Sequence, residues 1–264
     1  MIKDIESITD QFISLNQVEA IVLGGSQATG NADSSSDIDL YIYVNERINP
    51  QIRENFLNPY CRSMEIANTY WEEEDDVILH DGTVLEIIYR DLKSFVHGLN
   101  RVAYEHIPSN SYSTCSWYSL IHSNVLYEKN QLYSKIQERY TFTYPDRLAK
   151  QIIEHGLPLL TGSIPSYDTQ IIKAFKRGDI VSVNHRITEF LATYFDLLFA
   201  INHMLHPGEK RMVEHLKQGK YLPHEFEKLL DHLIHYNHDL IPIEKVLQTI
   251  IKNLHDLIHE LNYW

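Results

Sequence analysis

Two short stretches near the N-terminus combine glycine, serine and aspartate in a pattern suited to chemistry on phosphate groups. Gly24-Gly25-Ser26 follows a short apolar run, and glycine lets the backbone adopt a positive φ and approach a ligand closely. Ten residues separate Ser26 from Asp37, and Asp39 follows two positions later in a predicted strand, so both carboxylates leave the same face. Such a pair repels itself unless a cation lies between the carboxylates or one of them binds a proton.

This combination of residues predicts a site for nucleotide chemistry. A helix that begins near Gln27 would present free backbone amides to an anion. Carboxylate oxygens suit Mg²⁺, which keeps several waters and binds substrate phosphates through one or two carboxylates. A phosphate cradle and a magnesium site at one sheet edge are what group transfer from a nucleoside triphosphate requires.

The elements that must position these residues are predicted from the spacing of apolar residues. Residues 4–16 have apolar positions at helical spacing, which indicates a helix before the glycines. Asp81-Gly82 predicts a two-residue hairpin turn between two strands. The predicted strands cover residues 20–23, 38–44, 62–68, 77–80 and 83–90.

The second half of the chain has a different pattern. Sustained apolar stripes at spacings of three and four predict long helices, which cover residues 180–205, 224–236 and 243–261. Tyr144-Pro145-Asp146 is typical of a helix start. We therefore predict an α/β domain over residues 1–140, followed by a helical bundle over residues 141–264.

Composition limits the classes of protein to consider. The chain has 10 glycines and 9 prolines in 264 residues, which favours long regular elements over a loop-rich scaffold. A net charge of −13 disfavours nonspecific nucleic-acid binding and favours a cationic small substrate. Two cysteines are too few for a disulfide framework. With neither a signal-peptide pattern nor a long apolar span, we expect a cytoplasmic protein without a membrane partner.

The glycine-aspartate segment resembles the signature of the polymerase β-like nucleotidyltransferase superfamily. That signature is a Gly-Ser after a strand, about ten residues, and then Asp-hydrophobic-Asp-hydrophobic, which Gly25-Ser26 and Asp37-Ile38-Asp39-Leu40 match. The family also has a third carboxylate on a later strand, and Glu86 occupies a matching position between apolar residues. The resemblance covers about residues 18–90. The helical remainder is more loosely similar to antibiotic nucleotidyltransferases of the aminoglycoside and lincosamide type.

The resemblance implies a fold, cofactors and roles for these residues. The fold is a mixed sheet flanked by helices, the cofactors are two divalent ions (Mg²⁺), and an acceptor attacks the α-phosphorus of ATP or another nucleoside triphosphate. Asp37 and Asp39 would ligate metal, while the groups around Gly25 and Ser26 would hold the β- and γ-phosphates. Glu86 either completes the metal site or takes the proton from the acceptor hydroxyl, and glutamate in place of the commoner aspartate favours the second role.

Two charged stretches lie outside this signature. Lys210 and Arg211 follow the long apolar helix, either in a plain interhelical connection or as cations that bind triphosphate, with Lys210 the stronger candidate. The run from Trp71 to Asp76 is interpreted as a solvated loop, with a negative rim that attracts a polycationic acceptor as the alternative.

These observations predict an enzyme of the EC 2.7.7 type. We expect it to move a nucleoside monophosphate, in the first place AMP from ATP, to a hydroxyl of a small molecule, with an antibiotic as the leading acceptor and resistance as the context. The alternatives are a toxin-like enzyme that modifies tRNA or a protein, and a nucleotide-binding module without turnover. The sequence leaves the acceptor, the preferred base and the formation of a homodimer open.

Overall fold

The computed structural model describes residues 2–30, 37–162, 165–236 and 242–263. The chain forms two compact units. The first unit comprises Met1–Asn100 and Ser119–Phe142, and the second comprises Arg101–Tyr118 and Thr143–Trp264. The division into separate domains over residues 1–140 and 141–264 stays a prediction.

The first unit contains a six-stranded sheet with helices. Its strands are β1 (Val18–Leu23), β2 (Ile38–Val44), β3 (Cys61–Asn68), β4 (Glu73–Leu79), β5 (Val84–Asp91) and β6 (Asn124–Glu128). The first six helices are α1 (Ile2–Ile13), α2 (Gly25–Thr29), α3 (Pro50–Leu57), α4 (Leu92–Ala103), α5 (Cys115–His122) and α6 (Leu132–Tyr140). The five strands predicted from the sequence are confirmed, whereas β6 had not been predicted.

The sheet is mixed, as the family resemblance implied. Its strand order is β3-β4-β5-β2-β1-β6. Strands β2 and β5 pair in parallel, and the other neighbouring pairs are antiparallel. The predicted α/β fold with a mixed sheet, followed by a helical region, is therefore confirmed.

One face of this sheet forms the hydrophobic core of the first unit. Residues alternate between the two faces along β2, so Leu40 and Ile42 point to the core while Asp39 points to the opposite face. Ile8 and Phe12 of α1 belong to the same buried cluster. The apolar face therefore fixes which side of β2 carries the carboxylate.

The β4–β5 hairpin differs from the prediction by one residue. Leu79 N–H donates to Thr83 O at 2.9 Å, so the turn contains three residues, His80, Asp81 and Gly82. Gly82 adopts φ +93, as expected for the glycine that ends a three-residue hairpin loop. The predicted two-residue turn was wrong, and the pairing of β4 with β5 is shifted by one residue as a result.

The acidic run from Trp71 to Asp76 is not the solvated loop that we expected. Strand β4 begins at Glu73, and the side chains of Glu74 and Asp75 are buried. The partner that makes the burial of Asp75 feasible is Arg53 of α3, whose side chain is itself fully buried. Burial of paired charges inside a sheet cannot be inferred from a run of acids alone.

Arg53 and Asp75 form the centre of a buried polar network. Arg53 Nη2 lies 2.9 Å from Glu73 Oε1, and its Nε lies 3.6 Å from Asp75 Oδ2. Asp75 also accepts hydrogen bonds from Ala67 N–H and Tyr89 Oη–H, each at 2.7 Å. Burial raises the pKa of Asp75 above its ordinary value in spite of these partners. Arg53 is therefore the cation that makes a charged Asp75 tolerable.

The second unit is helical. Its helices are α7 (Asp146–Leu160), α8 (Tyr167–Lys176), α9 (Ile180–Ile201), α10 (Met212–Leu216), α11 (Phe226–Ile234) and α12 (Ile243–Glu260). The three predicted helices correspond to α9, α11 and α12. Among the described helices of the chain, none is both long and apolar enough to cross a membrane.

Within the second unit, a buried carboxylate joins residues 101–118 to helix α9. Asp196, inside α9, accepts hydrogen bonds from Ser113 N–H at 2.9 Å and from Ser113 Oγ at 2.7 Å. Burial raises the pKa of Asp196 to about 6. These bonds connect a segment that precedes α5 to the central helix of the second unit.

Replacement of Arg53 should destabilise the protein strongly. Arg47, an exposed arginine that shares the carboxylate of Glu73 with Arg53, provides the control. Arg53→Met leaves Asp75 buried without its cation, so we expect urea unfolding to show a loss of about 3–5 kcal/mol. The pKa of Asp75 should rise further, so the loss should grow as the pH increases.

Arg47 also contacts Glu73 at 3.0 Å, but its side chain is 64% exposed. Arg47→Met should therefore cost less than about 1 kcal/mol. Equal losses in the two variants would contradict the importance of burial.

Candidate active site

Parallel pairing of β2 with β5 brings two of the predicted carboxylates side by side. Asp39 is the direct partner of Glu86, between the pairs Ile38–Leu85 and Leu40–Ile87. Directly paired residues share a face of the sheet, so both carboxylates lie on the face opposite the core. Asp37 comes directly before β2, two residues from Asp39. Asp39 and Glu86 are thus direct neighbours, and Asp37 lies just before the start of β2.

The electrostatics of Glu86 reflect this crowding of negative charge. Burial raises the pKa of Glu86 above the ordinary glutamate value, and the charges of Asp39 and Asp37 raise it further. Asp76 and Glu74 add smaller effects of the same sign. A cation at this position would relieve the repulsion, and so would a proton on Glu86.

The glycine turn lies directly against Asp39. Gly24 N–H donates to Asp39 O at 2.9 Å, which joins the end of β1 to β2. Gly25 begins the short helix α2 with φ +57, and a Cβ at that position would lie 1.7 Å from Asp39 Oδ2. Ser26 follows in the first turn of α2. Glycine is therefore required at position 25 by both backbone conformation and space.

The glycine turn is also supported by Tyr41, the next residue after Asp39 on the same face of β2. A Cβ on Gly24 would lie 2.2 Å from the Tyr41 ring, so the ring packs directly on the turn. Arg90 stacks over Tyr41 at 4.3 Å from the ring centroid and is held by Glu72 at 2.8 and 2.6 Å. Burial raises the pKa of Tyr41 to about 12. This support was not predicted from the sequence, although Tyr41 shares a strand face with Asp39.

Two further acids extend the row of carboxylates. Asp76 of β4 pairs with Glu86, and Glu65 of β3 pairs with Asp76. Acidic residues therefore lie opposite one another on four adjacent strands, in the order Asp39, Glu86, Asp76 and Glu65. Asn68 Nδ2 donates to Asp76 at 2.6 Å. Neither acid was predicted as part of the site, because Asp76 had been placed in a solvated loop and the pairing of β3 with β4 is not set by local spacing.

A pocket of about 590 Å³ lies beside this row. Its acidic lining consists of Glu65, Glu74, Asp76 and Glu86. Trp71, whose side chain is 86% exposed, forms part of the wall together with apolar residues of β3, β4 and β5. Carboxylates beside an aromatic ring suit a cationic molecule.

The carboxylate pair at β2 and β5 has the chemistry of a magnesium site. Across residues 2–30, 37–162, 165–236 and 242–263, no three His, Cys, Asp or Glu side chains are gathered closely enough to hold a metal by themselves. Mg²⁺, however, is commonly bound by one or two carboxylates together with substrate phosphates and water. Asp39 and Glu86, which repel each other, fit such a substrate-completed site.

The predicted triphosphate cations, Lys210 and Arg211, belong to the second unit and are exposed. The loop before them is anchored by His206, which is fully buried. His206 N–H donates to Thr114 Oγ1 at 2.7 Å, and His206 Nδ1 accepts from Gly208 N–H at 3.1 Å. The connection is therefore an ordered loop, and triphosphate binding by its two cations stays a prediction.

Most of the sheet-forming part of the first unit matches a known protein family. Residues 6–94 match the family model described as polymerase beta, nucleotidyltransferase. These residues form a nucleotidyltransferase domain of the polymerase β family. The chain thus contains a nucleotidyltransferase domain, as its sequence signature indicated, and enzymes of this family use a nucleoside triphosphate and a divalent metal.

Solved structures of low identity are also similar to the chain. A nucleotidyltransferase-like protein from Exiguobacterium sibiricum is 9% identical, with 98% of this chain and 74% of that chain covered and a TM-score of 0.49. An aminoglycoside 6-adenyltransferase from Bacillus subtilis is 11% identical (97% and 86% covered, TM-score 0.26).

The Elizabethkingia meningoseptica cyclic dinucleotide synthase CdnE is 14% identical (98% and 91% covered, TM-score 0.31). No curated protein sequence matches the chain. Because these TM-scores lie below 0.5, the family assignment rests on the match over residues 6–94.

Replacement of Gly25 should displace Asp39, and Gly30 offers a matched control. Gly25→Ala adds a Cβ that collides with the Asp39 carboxylate. Displacement of a site group by about 1 Å costs roughly a hundredfold in rate, which we expect in metal-dependent pyrophosphate release from ATP.

Gly30 also has a positive φ, +72, but a Cβ there meets no described atom within 4 Å. Gly30→Ala should share only the backbone strain and keep most of the activity. Thermal melting of both variants separates lost activity from lost folding. Similar activity losses in the two would show that the contact with Asp39 is unimportant.

Proposed function

We propose that this protein transfers a nucleoside monophosphate, AMP from ATP, to a hydroxyl of a small cationic molecule in a Mg²⁺-dependent reaction. The observation that carries the proposal is the β2–β5 register, which places Asp39 beside Glu86 with Gly25 packed on Asp39. Transfer of a nucleoside monophosphate from a triphosphate requires a backbone turn that can bind phosphate and a carboxylate pair that can bind metal, and both components lie together here.

Each predicted site residue has a role in this proposal. Asp37 and Asp39 hold the divalent ions, for which Glu86 is a further candidate ligand, and the amides and hydroxyl around Gly25 and Ser26 bind the β- and γ-phosphates. When bound, the two Mg²⁺ ions supply positive charge to the reacting phosphate and the leaving pyrophosphate. Lys210 and Arg211 are candidate triphosphate ligands from the second unit.

Glu86 takes the proton from the acceptor hydroxyl in this proposal. The hydroxyl oxygen forms a bond to the α-phosphorus, the bond from that phosphorus to pyrophosphate breaks, and a Glu86 oxygen accepts the proton. Burial, the largest cause of the raised pKa of Glu86, makes this carboxylate a stronger base than an exposed glutamate, which favours this step.

The acidic pocket supports a cationic acceptor. Glu65, Glu74 and Asp76 line the pocket beside Glu86, and amines on a polyhydroxyl molecule would neutralise them while a hydroxyl approaches Glu86. An aminoglycoside-type antibiotic has this chemistry, whereas a lincosamide carries little charge. The phosphates of tRNA would be repelled by the same carboxylates.

Transfer of label from ATP tests both the reaction and the acceptor. Protein, α-labelled ATP and Mg²⁺ are incubated with an aminoglycoside, with the same compound after acetylation of its amines, with a lincosamide, with tRNA and with a cell extract. We expect label on the aminoglycoside and far less on its acetylated form, which keeps the hydroxyls but loses the charge. Label on tRNA or protein alone would refute the acceptor, and absence of transfer to all acceptors would favour a binding module.

Three isosteric substitutions separate metal binding from proton transfer. Asp37→Asn and Asp39→Asn should lose Mg²⁺-dependent ATP binding as well as turnover. Glu86→Gln should keep ATP binding within a few-fold and lose about 10²–10⁴-fold in rate, the usual contribution of a general base. Calorimetric titration of ATP with and without Mg²⁺ gives the binding data. Equal loss of binding in all three variants would identify Glu86 as a metal ligand.

A further inference from the structure

A second cavity lies behind the candidate active site. Its volume is about 440 Å³, and it lies next to α1, the end of β1 and the start of β2. Ile38 and Leu23 in its wall belong to the hydrophobic-core face, so the cavity is on the sheet face opposite Glu86. Its apolar lining consists of Ile5, Ile13, Leu23, Ile38 and Leu126. Five aliphatic side chains provide a site for the apolar body of a small molecule.

A buried hydroxyl in this cavity lacks a hydrogen bond. Thr9 lines the cavity and is 7% exposed. Within the part of the chain that the structure describes, Thr9 Oγ1 has no hydrogen-bond partner. A buried polar group without a partner destabilises a protein, so native structures normally provide one. A polar group of a bound molecule would supply it.

Two carboxylates define the charge that this cavity accepts. Glu6 and Asp10 both line it and are exposed, one helical turn apart on α1. Like charges at this spacing repel each other on a helix surface. A positive charge at the mouth of the cavity would relieve that repulsion, while an anion would increase it.

We propose that this cavity is a second ligand site, distinct from the nucleotide site, that binds an organic amine with an apolar body. The body packs against the five aliphatic side chains. The ammonium group lies near Glu6 and Asp10 and donates a hydrogen bond to Thr9 Oγ1. This site is spatially separate from the acceptor pocket, which lies on the other face of the sheet.

Occupancy of this site should affect the nucleotide site. Leu23 directly precedes Gly24-Gly25, and Ile38 lies between Asp37 and Asp39. A ligand that contacts Leu23 and Ile38 therefore contacts the residues adjacent in sequence to the glycine turn and to both aspartates. Any effect of the amine on ATP affinity must be matched by an equal effect of ATP on amine affinity.

Three probes with the same apolar body and different charge test the proposal: 4-phenylbutylamine, 4-phenylbutan-1-ol and 4-phenylbutyrate. NMR of isoleucine methyl groups reports binding directly, without reference to activity. We expect saturable shifts at Ile5, Ile13 and Ile38 with the amine. The alcohol should bind about tenfold more weakly, since hydrogen bonds involving a charged group are stronger, and the carboxylate should not bind.

Substitutions identify the groups responsible. The double variant Glu6→Gln with Asp10→Asn should lose the preference for the amine over the alcohol, while Glu54→Gln on the exposed side of α3 should keep it. Thr9→Val, which is isosteric, should bind both probes several-fold more weakly and melt at a higher temperature, because it removes the unpaired hydroxyl.

Two results would overturn the proposal. One is the absence of saturable shifts at these isoleucines with the amine. The other is equal binding of 4-phenylbutyrate and 4-phenylbutylamine. Neither depends on nucleotidyl transfer, so a failure of the second site is distinguishable from a failure of the proposed reaction.

Discussion

Repulsion between carboxylates on adjacent strands is the constraint on which the candidate site depends. Like charges directly opposite each other destabilise a sheet, yet Asp39 and Glu86 are direct partners. The opposite face of the same two strands compensates, because Leu40 and Ile87 are buried in the core of the first unit. A shift of one residue would expose these apolar side chains and bury the acids. The core thus holds together two charges that would otherwise separate, and a substrate-bound cation can use that arrangement.

Strand β4 shows that the protein treats its acids differently on the two faces. Asp75, on the core side, has Arg53 and the Tyr89 hydroxyl as partners. Asp76, on the other side, accepts from an amide and raises the pKa of Glu86. The arginine that balances this charge, Arg53, therefore lies beside the fully buried acid, Asp75. On the opposite face, the carboxylates beside the pocket of about 590 Å³ have no such arginine among the described residues, so a bound cation would be attracted most strongly there.

The parts of the site that were predicted are those set by local spacing. Alternation along the chain and the interval between the glycines and the aspartates were sufficient to find five of the strands, and the resemblance to the polymerase β-like family selected Glu86. The position of Asp76 opposite Glu86 was not predictable in this way, because it depends on whether the hairpin turn has two or three residues. The burial of Asp75 depends on Arg53, which is distant in sequence and belongs to a helix. Strand β6 is short and half exposed, so it has little of the alternation that identified the others.

The alternation of β2 also links the two faces of the sheet. Asp39 faces the carboxylate row and Ile38 faces the cavity behind it, although they are consecutive residues. The hydrogen bond from Gly24 N–H to Asp39 O connects the glycine turn to the backbone of β2. We therefore expect a molecule that displaces this segment on one face to affect the other, since the turn and the aspartate are joined by this hydrogen bond. The hydrogen bond that orients the proposed phosphate-binding turn against Asp39 thus also connects that turn to the cavity lined by Ile38. A molecule in this cavity can therefore change the orientation of the turn.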